Sequence, residues 1–515
     1  MNGAESLVRT LLAGNIDVCF TNPGTSEMHF VAALDSVPGM RCSLCLFEGG
    51  VTGAADGYYR MAGRPASTLL HLGPGLANGV SNLHNAKKAN SGIVNIVGEH
   101  ATYHIELDAP LTADIEGIAA PVSHWVKTSR SSKDIARDGA EAIAVAMAPP
   151  GQIATLILPG DTAWNEGSGV AEIPEPATRT KIGDDRIDAA AKAIRQARNP
   201  LILLGGAAVQ EANLRLAGKI SAATGCGLLT EWANARLDRG AGRIEANRIP
   251  FVVDQAVKLL APYDTIILVG AKSPVAFFAY PNKPSILTPD GCTFVELAGV
   301  ADDIAGALEG LCEATNATKS EPAGLVSPSR PGLPKGAIDP QRIAAILGAL
   351  IPENAIIVDE SVTTGREFFP LTAGAPPHAW LNNRGGSIGY GLPVATGAAM
   401  ASPGQKVIAL EGDGSAMYTV QSLWTIAREN LDVTVVIFSN RSYKILRGEL
   451  TNVGVQNPGP RAIDMLSLNR PNLDWVSMAR GMGVDACKVD DCEGLARAFA
   501  DGLAIEGPYL IEVEM

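Results

Sequence analysis

An aspartate between two glycines, Gly412-Asp413-Gly414, follows the short apolar run 407–410, and Asn440 follows a second apolar run, 433–438. A carboxylate and an amide oxygen suit a hard cation such as Mg2+, which prefers oxygen ligands, keeps waters and accepts phosphate oxygens. The flanking glycines let the backbone come close to a ligand. Residues 418–431 have helical periodicity, with Val420, Leu423, Trp424 and Ile426 on one side. A helix there points its free N–H groups back at Asp413, ready for a diphosphate. Gly-Asp-Gly alone reads equally well as a plain turn with a surface acid. The strand-terminal Asn440 makes the pattern specific to a metal-diphosphate site.

Those groups meet only if the two runs are neighbouring parallel strands joined through the helix. Their C-terminal ends then lie about 5 Å apart. The rest of the chain repeats this alternation. Residues 1–165 carry apolar strands at 17–20, 43–47, 67–71, 93–97 and 154–158 between helical stretches. Residues 184–312 form a second block with strands at 201–204 and 265–269, and 337–515 form a third that holds the Gly-Asp-Gly unit. Segments 165–181 and 313–335, rich in small and turn-forming residues, read as linkers. The expected fold class is α/β, with three doubly wound parallel-sheet domains.

Composition bounds the partners. The 515 residues are 46% hydrophobic and carry a net charge of −13, which argues against nucleic acid or an anionic membrane surface as partner. No apolar run approaches membrane-spanning length, and the N-terminus has no basic segment before a long apolar run, so a soluble cytoplasmic protein is expected. Eight cysteines are scattered. Cys42 and Cys45 form a CxxC without a second pair, inside a stretch that reads as a buried strand, so they are expected to be core thiols.

In the first block, Glu48 stands between a strand and the helical stretch that starts Gly49-Gly50-Val51-Thr52-Gly53. By itself it is a dipole-stabilising acid at a helix start. With the Gly-Asp-Gly unit, it completes a pattern that resembles thiamine diphosphate (ThDP) enzymes of the pyruvate-oxidase-like branch. Three further stretches extend the resemblance: Thr21-Asn22-Pro23-Gly24-Thr25-Ser26-Glu27, Gly73-Pro74-Gly75-Leu76-Ala77-Asn78 and Gly385-Gly386-Ser387-Ile388-Gly389. The resemblance implies Asp413, Asn440 and the Ser442 carbonyl as Mg2+ ligands. It implies Gly412, Gly414, Ser415 and Tyr443 near the diphosphate, with Val362, Thr363 and Gly386 among the cofactor contacts. It places Asn22, Pro23, Gly24 and Asn78 near the pyrimidine, and makes Ile388 the apolar wedge that bends the cofactor; for Ile388 a plain core position is the alternative. Glu48 would protonate the aminopyrimidine. In this family Glu and metal site come from different subunits, which implies a homodimer or homotetramer with interfacial sites.

Within the branch, the sequence is similar to benzoylformate decarboxylase and acetolactate synthase. Asp359-Glu360-Ser361-Val362-Thr363-Thr364 and the position of His71 look like the former, which implies a catalytic role for His71. There are departures. Residues 273–280 contain no His where benzoylformate decarboxylases supply one, and Leu446 stands where pyruvate decarboxylases carry a Glu. Glu99 stands where acetolactate synthases usually have Gln, and FAD-binding features are not visible in 184–312, so FAD is not expected. His100 and His104 line the pocket or cap a loop, the latter being the expectation for His104. The expected activity is cleavage or formation of the C–C bond next to the carbonyl of a 2-oxo acid, with a carbonyl acceptor. Acetolactate synthase-type acyl transfer, a ThDP-flavin oxidase and a non-catalytic paralogue are the alternatives.

Overall fold

The computed structural model describes residues 1–515. Three sheets order the chain. The first runs Arg41–Leu44, Val18–Asn22, Ala66–Leu70, Ile93–Glu99, Ile153–Pro159, Trp125–Thr128, with every pair parallel. The second runs Asn247–Arg248, Gly227–Thr230, Pro200–Leu204, Thr265–Val269, Thr293–Ala298, again all parallel. The third runs Asp485–Val489, Tyr509–Glu514, Val433–Ser439, Val407–Gly412, Ile356–Glu360, His378–Asn382, Leu237–Arg239. Its last strand is antiparallel and comes from the second block. Central strands such as Ile153–Pro159 and Val433–Ser439 are buried at every position. Helices cover both faces of such sheets, which is why these strands are continuous apolar runs without alternation.

Several local expectations need correction. The stretch at 41–47 is not a buried strand. The strand Arg41–Leu44 lies on the sheet edge, Arg41 and Cys42 are exposed, and only Cys45 is a core thiol. An edge position leaves one face and one flank open to water, so polar residues survive there. The Gly73-Pro74-Gly75 stretch forms the first turn of the helix Leu72–Ala89, where Pro is well tolerated. The expected helix over 418–431 is broken: short turns at Asp413–Ala416 and Met417–Thr419 precede the helix Ser422–Arg428, and Tyr418 is exposed.

The blocks do not keep separate cores. One apolar core joins Phe20, Val51 and Leu70 to Leu392, Val407 and Val435; another joins Leu204 and Val269 to Ile357, Phe438 and Phe499. The first junction is the helix Glu48–Ala62 on the helix Gly391–Ala401. Here glycine is required by space: a Cβ on Gly397 would fall 1.8 Å from the Ala54 carbonyl oxygen. Arg60 then ties all three blocks together. It pairs with buried Asp56 at 2.7 Å and donates to the carbonyls of Asn382 and Ala235.

Candidate active site

The strands Val407–Gly412 and Val433–Ser439 are parallel neighbours, with Gly412 opposite Phe438. Asp413 and Asn440 therefore leave the sheet side by side. Asp413 is buried; its Oδ1 accepts from the Gly414 N–H at 2.9 Å and its Oδ2 from the Arg441 N–H at 2.6 Å. Asn440 Oδ1 accepts from the Ser442 N–H at 3.0 Å. Arg441 between them has φ +57, a left-handed turn that brings the chain back toward Asp413. No lysine or arginine side chain pairs with Asp413, and burial pushes its carboxyl up to about 6 despite the two backbone N–H groups. A buried acid without a cation, beside an amide and a carbonyl oxygen, is the hard-oxygen donor set that Mg2+ takes when phosphate completes its shell. No cluster of three acidic, His or Cys side chains builds a metal cage of its own. The residues present fit a magnesium-diphosphate group.

These groups open on one cavity of about 830 Å3. Gly412, Asp413, Gly414, Ser415, Asn440, Ser442 and Tyr443 line it, together with Val362, Thr363, Gly386 and Ile388. Val362 is a β-branched residue at φ +51 and partly exposed, a conformation that costs energy and is retained where the surroundings impose it. Leu446, Phe277 and Phe278 also face this cavity. On its wall Glu360, buried, accepts from the N–H groups of Gly389, Tyr390 and Gly391 at the start of the helix Gly391–Ala401. Burial pushes its carboxyl up to about 7 against those bonds. Its neighbour in register, Glu411, has no hydrogen-bond partner for either oxygen. Burial and the adjacent Glu360 and Asp359 charges raise it well above the carboxylate range.

The first block builds a second cluster. Strand ends deliver Asn22-Pro23-Gly24 and His71, and the helix starting at Glu48 delivers its carboxylate. Asn78 Nδ2 donates to Glu48 Oε2 at 2.9 Å. Glu27 is buried, and its Oε2 accepts from the Gly24 N–H at 2.7 Å and from His71 Nδ1 at 2.8 Å. Nδ1 of His71 is thus engaged by Glu27, and Nε2 has no hydrogen-bond partner within the chain. Leu72, next to His71, is held at φ +47.

Asn22, Pro23, Gly24, Glu48, His71 and Asn78 thus form one group, and none of them lines the Asp413 cavity of the same chain. Sequence reasoning missed the joint role of Glu27; its signal was only an acid three residues after Gly24, since glycine has no side chain to complete a capping box. It also missed Arg248 and Phe369 on the cavity wall, which carry no motif. The rings of His100 and His104 lie 5.3 Å apart, tilted by 55°, and do not line the cavity.

Comparison with known proteins bears on these two half-sites. Residues 1–119 match the N-terminal TPP binding domain of thiamine pyrophosphate enzymes, and residues 364–513 match their C-terminal TPP binding domain. A Mycobacterium tuberculosis protein provisionally named acetolactate synthase large subunit IlvX is 48% identical over 100% of this chain and 99% of that protein. Benzoylformate decarboxylase of Pseudomonas aeruginosa is 30% identical over 96% of this chain and 95% of its own. The solved structure of Rhodococcus jostii RHA1 ThDP-dependent 4-hydroxybenzoylformate decarboxylase shares the fold, with TM-score 0.85 at 24% identity over 100% of this chain and 99% of that one. With both cofactor-binding domains matched and relatives aligned along nearly the whole length, the chain belongs to the thiamine pyrophosphate enzyme family.

Proposed function

We propose that this chain is a ThDP- and Mg2+-dependent decarboxylase or carboligase of 2-oxo acids, acting at the C–C bond next to the carbonyl. The observation that carries the reading is the convergence of Asp413, Asn440, Ser442, Ser415 and Ile388 on one cavity. When bound, ThDP supplies a nucleophilic carbon and an electron sink for the departing CO2. Asp413, Asn440 and the Ser442 carbonyl hold the metal, and Gly412, Gly414, Ser415 and Tyr443 hold the diphosphate. Ile388, with Gly386, Val362 and Thr363 beside it, supports the bend of the cofactor. Glu48, steadied by Asn78, delivers a proton to the pyrimidine, which Asn22-Pro23-Gly24 approach. His71 orients substrate or moves a proton through Nε2. The three blocks 1–165, 184–312 and 337–515 serve as pyrimidine, middle and diphosphate domains. The two half-sites belong to different subunits of a homodimer or homotetramer in the cytoplasm.

Leu446, Phe277 and Phe278 give the cavity an apolar wall where other branches place an acid or a His. Protonation of the reacting carbon is then slow, and a second carbonyl has time to attack. Carboligation products are therefore expected to be prominent relative to free aldehyde, which also favours acetolactate synthase-type acyl transfer as the second reading. The test is a panel of 2-oxo acids with and without acceptor aldehydes, following CO2 and coupled product by mass spectrometry. Asp413→Ala serves as the control that loses ThDP binding in calorimetry. No turnover of any 2-oxo acid by loaded protein would sink the reading, and free aldehyde alone with excess acceptor would sink the ligation preference.

A further inference from the structure

The cavity has a wall contributed by the second block. Arg248 and Gln255 face it among the rings of Trp232, Phe251 and Phe277. Trp232, Phe251 and Phe277 touch one another at 5.1 to 6.2 Å between ring centres. Arg248 has five N–H donors and uses one, from Nη1 to Asn382 Oδ1 at 3.2 Å. Its guanidinium carbon lies 4.1 Å from the centre of the Phe369 ring, and that of buried Arg239 lies 3.8 Å from the same centre. Arg239 bonds only neutral groups, Thr372 Oγ1 and the Phe369 carbonyl. Neither arginine forms an ion pair, whereas Arg60, Arg243 and Arg384 are each matched to Asp56, Glu211 and Glu231.

Two guanidiniums on one ring, neither in a direct ion pair, are a costly arrangement for a protein interior. Burial and the Arg248 charge push Arg239 down to about 9. Asp359 offsets part of this cost for both arginines, reaching Arg248 through Asn382, but pairs directly with neither. Asp359 is taken by Ser361, Trp380 and Asn382, Glu360 by backbone N–H groups, and Glu367 forms no ion pair with either arginine. Arg248, unlike Arg239, faces the cavity, whose wall also carries Arg366 and Lys444 with Asp359, Glu360, Glu367 and Asp413. It lies beside the wedge: Asn382 holds Arg248, and the next residue, Asn383, donates to the Ser387 carbonyl at 2.6 Å, immediately before Ile388.

We propose that Arg248 is the receptor for a second carboxylate, carried at the far end of the 2-oxo acid, so that the donor of this enzyme is a dicarboxylic 2-oxo acid. This rests on the decarboxylase or carboligase reading of the site. The reacting carboxylate leaves as neutral CO2, and a guanidinium bound to it would oppose that loss of charge. Arg248 therefore suits an acid group that stays ionised through turnover. The aromatic wall of Trp232, Phe251 and Phe277 covers the methylenes between the two acids.

The experiment compares CO2 release from 2-oxoglutarate and 2-oxovalerate, which share a five-carbon chain and differ by carboxylate against methyl. Wild-type enzyme should prefer the dicarboxylate by on the order of 10²-fold in kcat/KM. The ratio should collapse in Arg248→Met and recover in part in Arg248→Lys. Being a ratio, it does not depend on the fraction of enzyme folded. In parallel, glutarate and valerate are titrated calorimetrically into wild type and Arg248→Met, with and without ThDP and Mg2+. Glutarate binding that needs Arg248 supports the receptor even if no 2-oxo acid turns over, an outcome that would sink the reaction reading alone. Equal kcat/KM in wild type, a preference that survives Arg248→Met, or selectivity only when the dicarboxylate is the acceptor would overturn the proposal. So would glutarate binding no tighter than valerate.

Discussion

Two carboxylates in the first block have separate proposed tasks. Asn78 donates to Glu48 Oε2 at 2.9 Å, and the proposed task of Glu48 is protonation of the pyrimidine. Glu48→Gln preserves the hydrogen bond and removes the proton, so ThDP should stay bound while turnover falls by about 10²–10⁴-fold. Exchange of the cofactor C2 proton, followed by NMR, should slow in step; exchange at the wild-type rate would remove Glu48 from this role. Glu27 works through His71 and the Gly24 turn, holding both with one oxygen. Residues that act as a unit are non-additive. Adding Glu27→Gln to His71→Ala should cost little beyond His71→Ala alone, while Glu27→Gln by itself should lower kcat/KM by about tenfold or more. Additive losses in the double-mutant cycle would show that the two act independently.

At the scale of elements, the helix pair Glu48–Ala62 and Gly391–Ala401 sets where both half-sites stand. Gly397→Ala places a methyl against the Ala54 backbone oxygen, which has no rotamer by which to yield. Overpacking of that kind costs about 1–3 kcal/mol, so the thermal midpoint of the cofactor-free protein should drop. An unchanged midpoint would mean that the helices separate freely. The strand His378–Asn382 begins with a buried His whose Nδ1–H donates to the Pro376 carbonyl at 2.7 Å. Burial, then the Arg239 charge, lowers His378 from 6.5 to about 3. The unfolded chain binds this proton first, so the stability contribution is present above pH 6.5 and lost as pH falls toward 3. The loss approaches about 1.4 kcal/mol per pH unit in that window. His378→Gln should flatten the acid limb of stability against pH in chemical denaturation. A limb of unchanged slope would assign acid sensitivity elsewhere.

At the scale of the whole molecule, the blocks share cores, yet the Glu48 and Asp413 groups of one chain face different spaces. A second copy that closes each Asp413 cavity with a Glu48 group makes a sharp prediction. Glu48→Gln and Asp413→Ala enzymes, each inactive, should regain about one quarter of wild-type activity when dissociated and reassembled at equal ratio. Half of randomly formed symmetric dimers are then mixed, and each mixed dimer has one intact site of two. No recovery, with mixed dimers demonstrated by mass, would place each active site within a single chain.

The sequence by itself determined the fold class and the placement of Asp413 beside Asn440 at neighbouring strand ends. Strand, turn, helix and strand are local, and parallel pairing of adjacent strands brings Asp413 beside Asn440 without knowledge of the rest. Apolar runs without alternation sufficed for the three sheets, since burial on both faces erases the period of two. The tertiary structure decided what depends on distant contacts. Edge position exposed Cys42, and packing of the second block onto the third placed the strand Leu237–Arg239 against His378–Asn382. That placement put Arg239 and Arg248 on Phe369 without a direct ion pair. No spacing in the chain encodes it, because the charges come from residues whose own neighbours read as loop and edge.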